Sequence, residues 1–171
     1  MAELTQQERL QPSLLDRLTD EEPTKTQESR DKRVLSLQKL REGVLRDMAW
    51  LLNSGNLATT EDLSAYPFVA QSVLNYGMPD MAGLTVSGAD VSAIERELKQ
   101  AILTFEPRIL RNTLKVRVVV ADDRMDHNTM TFDIEGELWA QPAPLRLYLK
   151  TEIDFESGNV EVLDAGGRRT S

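Results

Sequence analysis

Apolar positions along this chain follow two rhythms, and the change between them falls at a single proline. Val91, Ile94, Leu98, Ile102 and Phe105 recur at three- and four-residue steps, which stacks them on one face of a helix. Leu114, Val116, Val118 and Val120 recur at every second residue, the signature of one face of a strand. Between the two lies Glu106-Pro107-Arg108. Pro107 has no N–H and disfavours α geometry at Glu106, so the helix is predicted to run from Asp90 to Phe105 and stop. Its start is marked by Asp90 as N-cap, or by Ser92 and Glu95 as a capping box. An earlier helix is predicted over Asp31 to Leu52, with Leu37, Leu40, Val44, Met48 and Leu51 on one stripe. Gly43 within it costs about 1 kcal/mol relative to alanine, which a buried face absorbs. Asn53-Ser54-Gly55-Asn56 ends it, with Gly55 available for a left-handed turn.

Two more strands follow the first. Met130 to Leu138 places Met130, Phe132, Ile134 and Leu138 on one face and Thr131, Asp133, Glu135 and Glu137 on the other. Leu145 to Phe155 turns Leu145, Leu147, Leu149, Ile153 and Phe155 inward, with Arg146, Tyr148, Lys150, Glu152 and Asp154 outward. Antiparallel pairing in chain order sets the acidic row between rows that contain Lys115, Arg117, Arg146 and Lys150, and this charge pattern helps fix the register. Asn159 to Leu163 reads as a short edge strand, where Val160 and Val162 offer backbone groups for strand addition by a partner. The predicted architecture is α+β and two-layered: an antiparallel sheet of three to four strands, covered on one face by two amphipathic helices, with a short N-terminal helix.

That short helix comes from Pro12 to Leu18, where Leu14, Leu15 and Leu18 fall at helical spacing. Seven residues make a poor isolated helix, and the apolar-poor stretch from Thr19 to Arg30 reads as a linker. The island either docks on a partner or packs back on its own domain. Residues 1–30 are therefore expected to be a flexible segment carrying a docking helix, 31–164 a single domain, and 165–171 a disordered tail. In the middle, Tyr66-Pro67 and then Ser72 to Asp80, with Gly77 and Pro79, imply a specific turn.

Composition narrows the chemistry. A net charge of −8 argues against a general nucleic-acid binder. No window approaches the roughly 18 consecutive apolar residues of a membrane span, and the first residues lack the pattern of a signal peptide; a cytoplasmic protein without direct membrane insertion is expected. The chain has no cysteine, which removes disulfides and thiolate chemistry. Gly83 and Gly88 are spaced like a phosphate loop, but Ala89-Asp90 stand where Lys-Ser/Thr is needed. Asp122, Asp123, Asp126 and His127 carry oxygen and imidazole donors, yet a solvated turn between strands is the expected role of this run. No cofactor and no metal are expected. The remaining catalytic reading is a peptidoglycan glycosidase with Glu106 as general acid. Arg108, two residues on, would favour the ionised carboxylate instead, so no enzyme activity is expected.

Taken together, Leu14-Leu15-Asp16-Arg17-Leu18, the run Ser72-Val73-Leu74-Asn75-Tyr76-Gly77-Met78-Pro79-Asp80, and Phe105-Glu106-Pro107-Arg108-Ile109 resemble the TssE family of type VI secretion baseplate subunits. That family is similar to the small "lysozyme-like" wedge protein of contractile phage baseplates, and the likeness spans roughly residues 12–164. The resemblance implies a structural subunit that joins the wedge proteins TssF and TssG to the contractile sheath of TssB and TssC, with the adaptor TssK in the same baseplate. It also implies that Glu106, Pro107 and Arg108 dock on the helical core bundle of the wedge. On this reading Arg108 is expected to act through assembly, with little effect on folding.

Overall fold

Alternation in the C-terminal half becomes a sheet, and helical spacing before it becomes the layer that covers the sheet. The computed structural model describes residues 13–19, 24, 36–81, 90–119, 129–140 and 143–164. Within them the chain forms α1 (Leu14–Leu18), α2 (Leu37–Leu52), α3 (Pro67–Ala70) and α4 (Val91–Phe105). Strands β1 (Lys115–Val119), β2 (Thr129–Leu138), β3 (Leu145–Asp154) and β4 (Val160–Asp164) follow. They form one antiparallel sheet in the order β1-β2-β3-β4. The fold is α+β, as the sequence predicts. No helix among the described residues is long and apolar enough to cross a membrane.

The register delivers the predicted charge rows. Asp133 stands opposite Arg117 on one side and Lys150 on the other, while Glu135 faces Lys115 and Glu137 faces Arg146. On the inner face Met130, Phe132, Ile134, Leu138, Leu147, Leu149, Ile153 and Phe155 are buried. Thr151 shares that inner row, and its hydroxyl donates to the Phe132 carbonyl at 3.2 Å, which satisfies the one polar group set among them.

Asp90 caps α4 by accepting the Ala93 N–H at 3.1 Å. Glu95 does not close a capping box. Its carboxylate instead accepts the Val118 N–H at 2.7 Å, tying α4 to edge strand β1. The buried face of α4 is Ile94, Leu98, Ala101 and Ile102, with Val91 and Phe105 partly covered. On α2 the buried stripe is Leu40, Gly43, Val44, Leu45, Met48, Leu51 and Leu52. Leu37, the first residue of that helix, is exposed rather than in the stripe.

The end of α2 differs from expectation. Gly55 takes no left-handed turn; among the described residues the glycines at positive φ are Gly77 and Gly158. Asn53 closes the helix, its amide donating to the Ala49 carbonyl at 2.8 Å. The same side chain donates to the Val160 carbonyl and accepts the Val160 N–H, each at 2.8 Å. One residue therefore caps a helix and clamps the outer edge of β4. Asn53→Ala is expected to lower stability by about 1–2 kcal/mol, the net value of two hydrogen bonds between elements. Chemical denaturation checks this, and an unchanged midpoint would mean that water replaces the clamp at no cost.

Residues 31–35 of the predicted first helix, most of the Thr19–Arg30 linker, Gly83, Gly88, Val120, the Asp122–His127 run and the tail from 165 lie outside the described residues.

Candidate functional site

Helix α4 stops where Pro107 requires. The Glu106 N–H closes the last turn on the Ile102 carbonyl at 2.9 Å, and the chain then crosses to the end of β2. There the Trp139 N–H donates to the Arg108 carbonyl and the Leu110 N–H to the Glu137 carbonyl, each at 2.8 Å, with Ile109 bridged to Leu138. Gly136 makes room for this: a Cβ on it would lie 3.2 Å from Ile109 Cγ2. The corner is thus fixed between a helix end and a strand. Glu106 points in, 4% exposed, and Pro107 points out.

Inside the corner, charges of alternating sign form a chain. Glu106 Oε1 accepts the Arg108 backbone N–H at 3.1 Å and Nε at 2.7 Å, and Oε2 accepts Nη2. Nη2 also donates to Asp47 Oδ2 at 2.5 Å. Asp47 Oδ1 accepts from Arg46 Nε at 2.9 Å and Nη2 at 2.8 Å. Arg46 Nη1 then donates to Asp16 Oδ1 at 2.7 Å, which brings α1 onto α2. Burial by itself would lower the pKa of Arg108, but the hydrogen bonds and charges of Glu106 and then Asp47 outweigh it, and the guanidinium is held firmly protonated. Burial likewise opposes ionisation of Asp16, yet hydrogen bonds from Ser13 and Arg46 keep its carboxyl below the usual aspartate value.

The Ser72–Asp80 run supports this corner from the other side. Ser72 caps a single 3₁₀ turn, Val73–Asn75, through the Leu74 N–H. Asn75 accepts the Ala58 N–H at 2.8 Å and donates to the Ala70 carbonyl at 2.9 Å. Tyr76 meets Phe105 edge to face with ring centroids 5.2 Å apart. Burial, then the charges of Asp47 and Glu106, push the Tyr76 hydroxyl above its ordinary pKa, so it stays a neutral phenol. Gly77, at φ 123°, lets the Met78 N–H reach the Ser54 carbonyl at 2.7 Å, and Asn56 N–H returns a bond to Met78 O at 2.9 Å. Tyr76, Phe105, Trp50, Pro107 and the Glu106–Arg108 pair line a cleft of about 380 Å³.

The structure brings Glu106, Pro107 and Arg108 together with residues that spacing alone did not single out: Gly43, Arg46, Asp47, Trp50 and Asp16. One signal for Asp47 was present, since it lies seven residues after Leu40 and four before Leu51, on the apolar stripe of α2. The predicted docking residues on α1 are exposed: Leu14 by 71%, Leu15 by 42% and Leu18 by 73%. Val160 and Val162 have buried side chains, and the outward amide groups of Val160 are already held by Asn53.

Neither the curated proteins nor the solved structures contain a match to this chain. The family model for baseplate wedge protein gp25 matches residues 38–143, more than half of the sequence. The matched span carries α2, the Ser72–Asp80 run, α4, the Glu106–Pro107–Arg108 corner and the first two strands. With Asp47, Arg46, the Gly77 turn and the sheet-anchored Glu106–Pro107–Arg108 corner all drawn from that span, this chain belongs to the gp25 family of baseplate wedge proteins.

Proposed function

We propose that this wedge-family chain is the TssE subunit of a type VI secretion baseplate, working in the cytoplasm as a structural part. In this reading it docks on the TssF–TssG wedge through the Glu106–Pro107–Arg108 corner, shares the baseplate with TssK, and helps to start the TssB/TssC sheath from its sheet edge. The leucines of α1 supply a further contact.

The observation that carries the reading is how the corner is built. The fork of Arg108 is engaged inside the chain by Glu106 and Asp47, so its role is to hold the turn rigid. What faces outward is Pro107, with Trp50 and Trp139 each 51% exposed. Exposed tryptophans beside a rigid turn are typical interface anchors. The same geometry weighs against the glycosidase alternative, because both Glu106 oxygens already accept hydrogen bonds from Arg108. At the sheet edge, a partner strand would have to displace the Asn53 side chain from Val160.

Trp50→Ala and Pro107→Ala remove none of the charged groups, but the Arg46 guanidinium lies over the Trp50 ring at 5.2 Å and Pro107 stops α4, so melts recorded beside binding separate docking from folding. Each is expected to weaken co-purification with a TssF–TssG subcomplex, by tenfold or more in affinity for Trp50→Ala. If both variants bind as wild type does and melt at the same temperature, the corner is not the wedge contact. Clearing of cell-wall suspensions by the purified protein would restore the enzymatic alternative.

A further inference from the structure

Helix α1 is held on the domain in an unusual orientation. Its leucines point to solvent, while Asp16 points at α2. Asp16 Oδ1 takes the Arg46 Nη1 donor at 2.7 Å, and Oδ2 takes the Ser13 hydroxyl at 2.6 Å. Beneath it lies Gly43, buried in α2. A Cβ added there would stand 3.5 Å from Asp16 Oδ2 and 3.7 Å from Arg108 Nη1, so the carboxylate and the second guanidinium meet across bare backbone. Gly43 thus leaves a shallow seat under the Asp16 carboxylate, with Arg46 bonded to that carboxylate and Arg108 Nη1 beside the seat.

We propose that Gly43, Arg46 and Arg108 form a carboxylate niche, that Asp16 is its resident ligand, and that the N-terminal helix is thereby a displaceable latch beside the Glu106–Pro107–Arg108 corner. The fit is chemical: a planar anion is matched by a direct guanidinium contact and by a gap with room for its second oxygen. The latch is weak by construction. The Asp16 and Arg46 side chains are 22% and 33% exposed, and ion pairs so placed hold only modestly and are screened by salt. With its leucines outside, α1 gains little from apolar burial on the domain. Ser13 lines the same cleft as Trp50, Glu106 and Pro107, so lifting the helix widens that cleft and vacates the niche together. An acidic side chain is the group the vacated niche would accept. The inference stands on the intramolecular contacts and is independent of which partner the corner meets.

Since the chain has no cysteine, Leu18→Cys provides a single attachment point for a nitroxide at an exposed position of α1. Its spectrum reports the fraction of the helix that is mobile in the full-length protein. Asp16→Asn and Arg46→Gln, each combined with Leu18→Cys, are expected to raise the ratio of mobile to immobile label about two- to fivefold. Raising NaCl from about 0.1 M to about 1 M, which shortens the screening length from about 10 Å to about 3 Å, is expected to move the otherwise unaltered protein toward the variants. The variants themselves should respond little to salt. Coincident spectra for all three proteins would overturn the proposal, as would a salt-insensitive wild-type spectrum. Mobilisation by Asp16→Asn alone would also overturn it, because Arg46→Gln leaves the Ser13–Asp16 cap in place and that result would assign Asp16 to capping only.

Discussion

Arg108→Ala is expected to lower the stability of the isolated subunit by about 3 kcal/mol, the low end for breaking a buried ion pair, because Arg108 is itself a quarter exposed. The cost arises at Glu106. That carboxylate is 4% exposed, and its oxygens accept Nε and Nη2 of Arg108. Removing the guanidinium leaves a charge in the interior with one backbone N–H still bound to it. The double variant Glu106→Gln/Arg108→Ala should recover at least half of the loss, since it removes the orphaned charge and keeps the side-chain shape. Arg108→Lys should fall between, because an ammonium neutralises Glu106 without the fork that also reaches Asp47. Denaturant unfolding of the four proteins checks the series. If the double variant is as unstable as Arg108→Ala, the buried charge is not the cause. This differs from the sequence-based expectation that Arg108 acts through assembly alone: spacing showed an ion pair, and burial of one partner turns it into part of the fold.

The second large effect is expected at Gly77. An added Cβ would stand 2.2 Å from the Ser54 carbonyl oxygen, in a backbone conformation of φ 123° that side chains rarely adopt. The obstacle is backbone, and that oxygen already receives the Met78 N–H. Gly77→Ala should therefore cost about 3–5 kcal/mol and loosen Tyr76 from Phe105 beside the corner. Gly55→Ala is the matched control. Nothing lies within 4 Å of a Cβ there, so its effect should stay within about 0.5 kcal/mol. Thermal melts of the two variants decide the matter: equal midpoints would show that the 54–78 bridge can open without penalty.

Local rules account for what was legible in the sequence. Period-two alternation placed all four strands to within a residue or so and set the acidic row of β2 between basic neighbours, because a strand side chain's face depends only on its parity. The helix stop at Phe105 followed from the missing N–H of Pro107, and the N-cap at Asp90 from its short side chain. These are properties of a residue and its neighbours. The tertiary structure alone decided which polar residues are spent inside. Asp47 reaches Arg108 across 61 positions of sequence and Asn53 clamps Val160 across 107. Neither pairing leaves a periodic trace, and Asp47 on the apolar stripe of α2 was a flag without an address. The choice of strained glycine was of the same kind: Gly55 and Gly77 both sit in turn-rich sequence, and it is the backbone at φ 123° together with the approach of the Ser54 carbonyl that makes Gly77 unable to carry a side chain. Local sequence sets a residue's face and the ends of its element, whereas burial, charge pairing and the conformation of a turn glycine depend on what a distant segment brings to it.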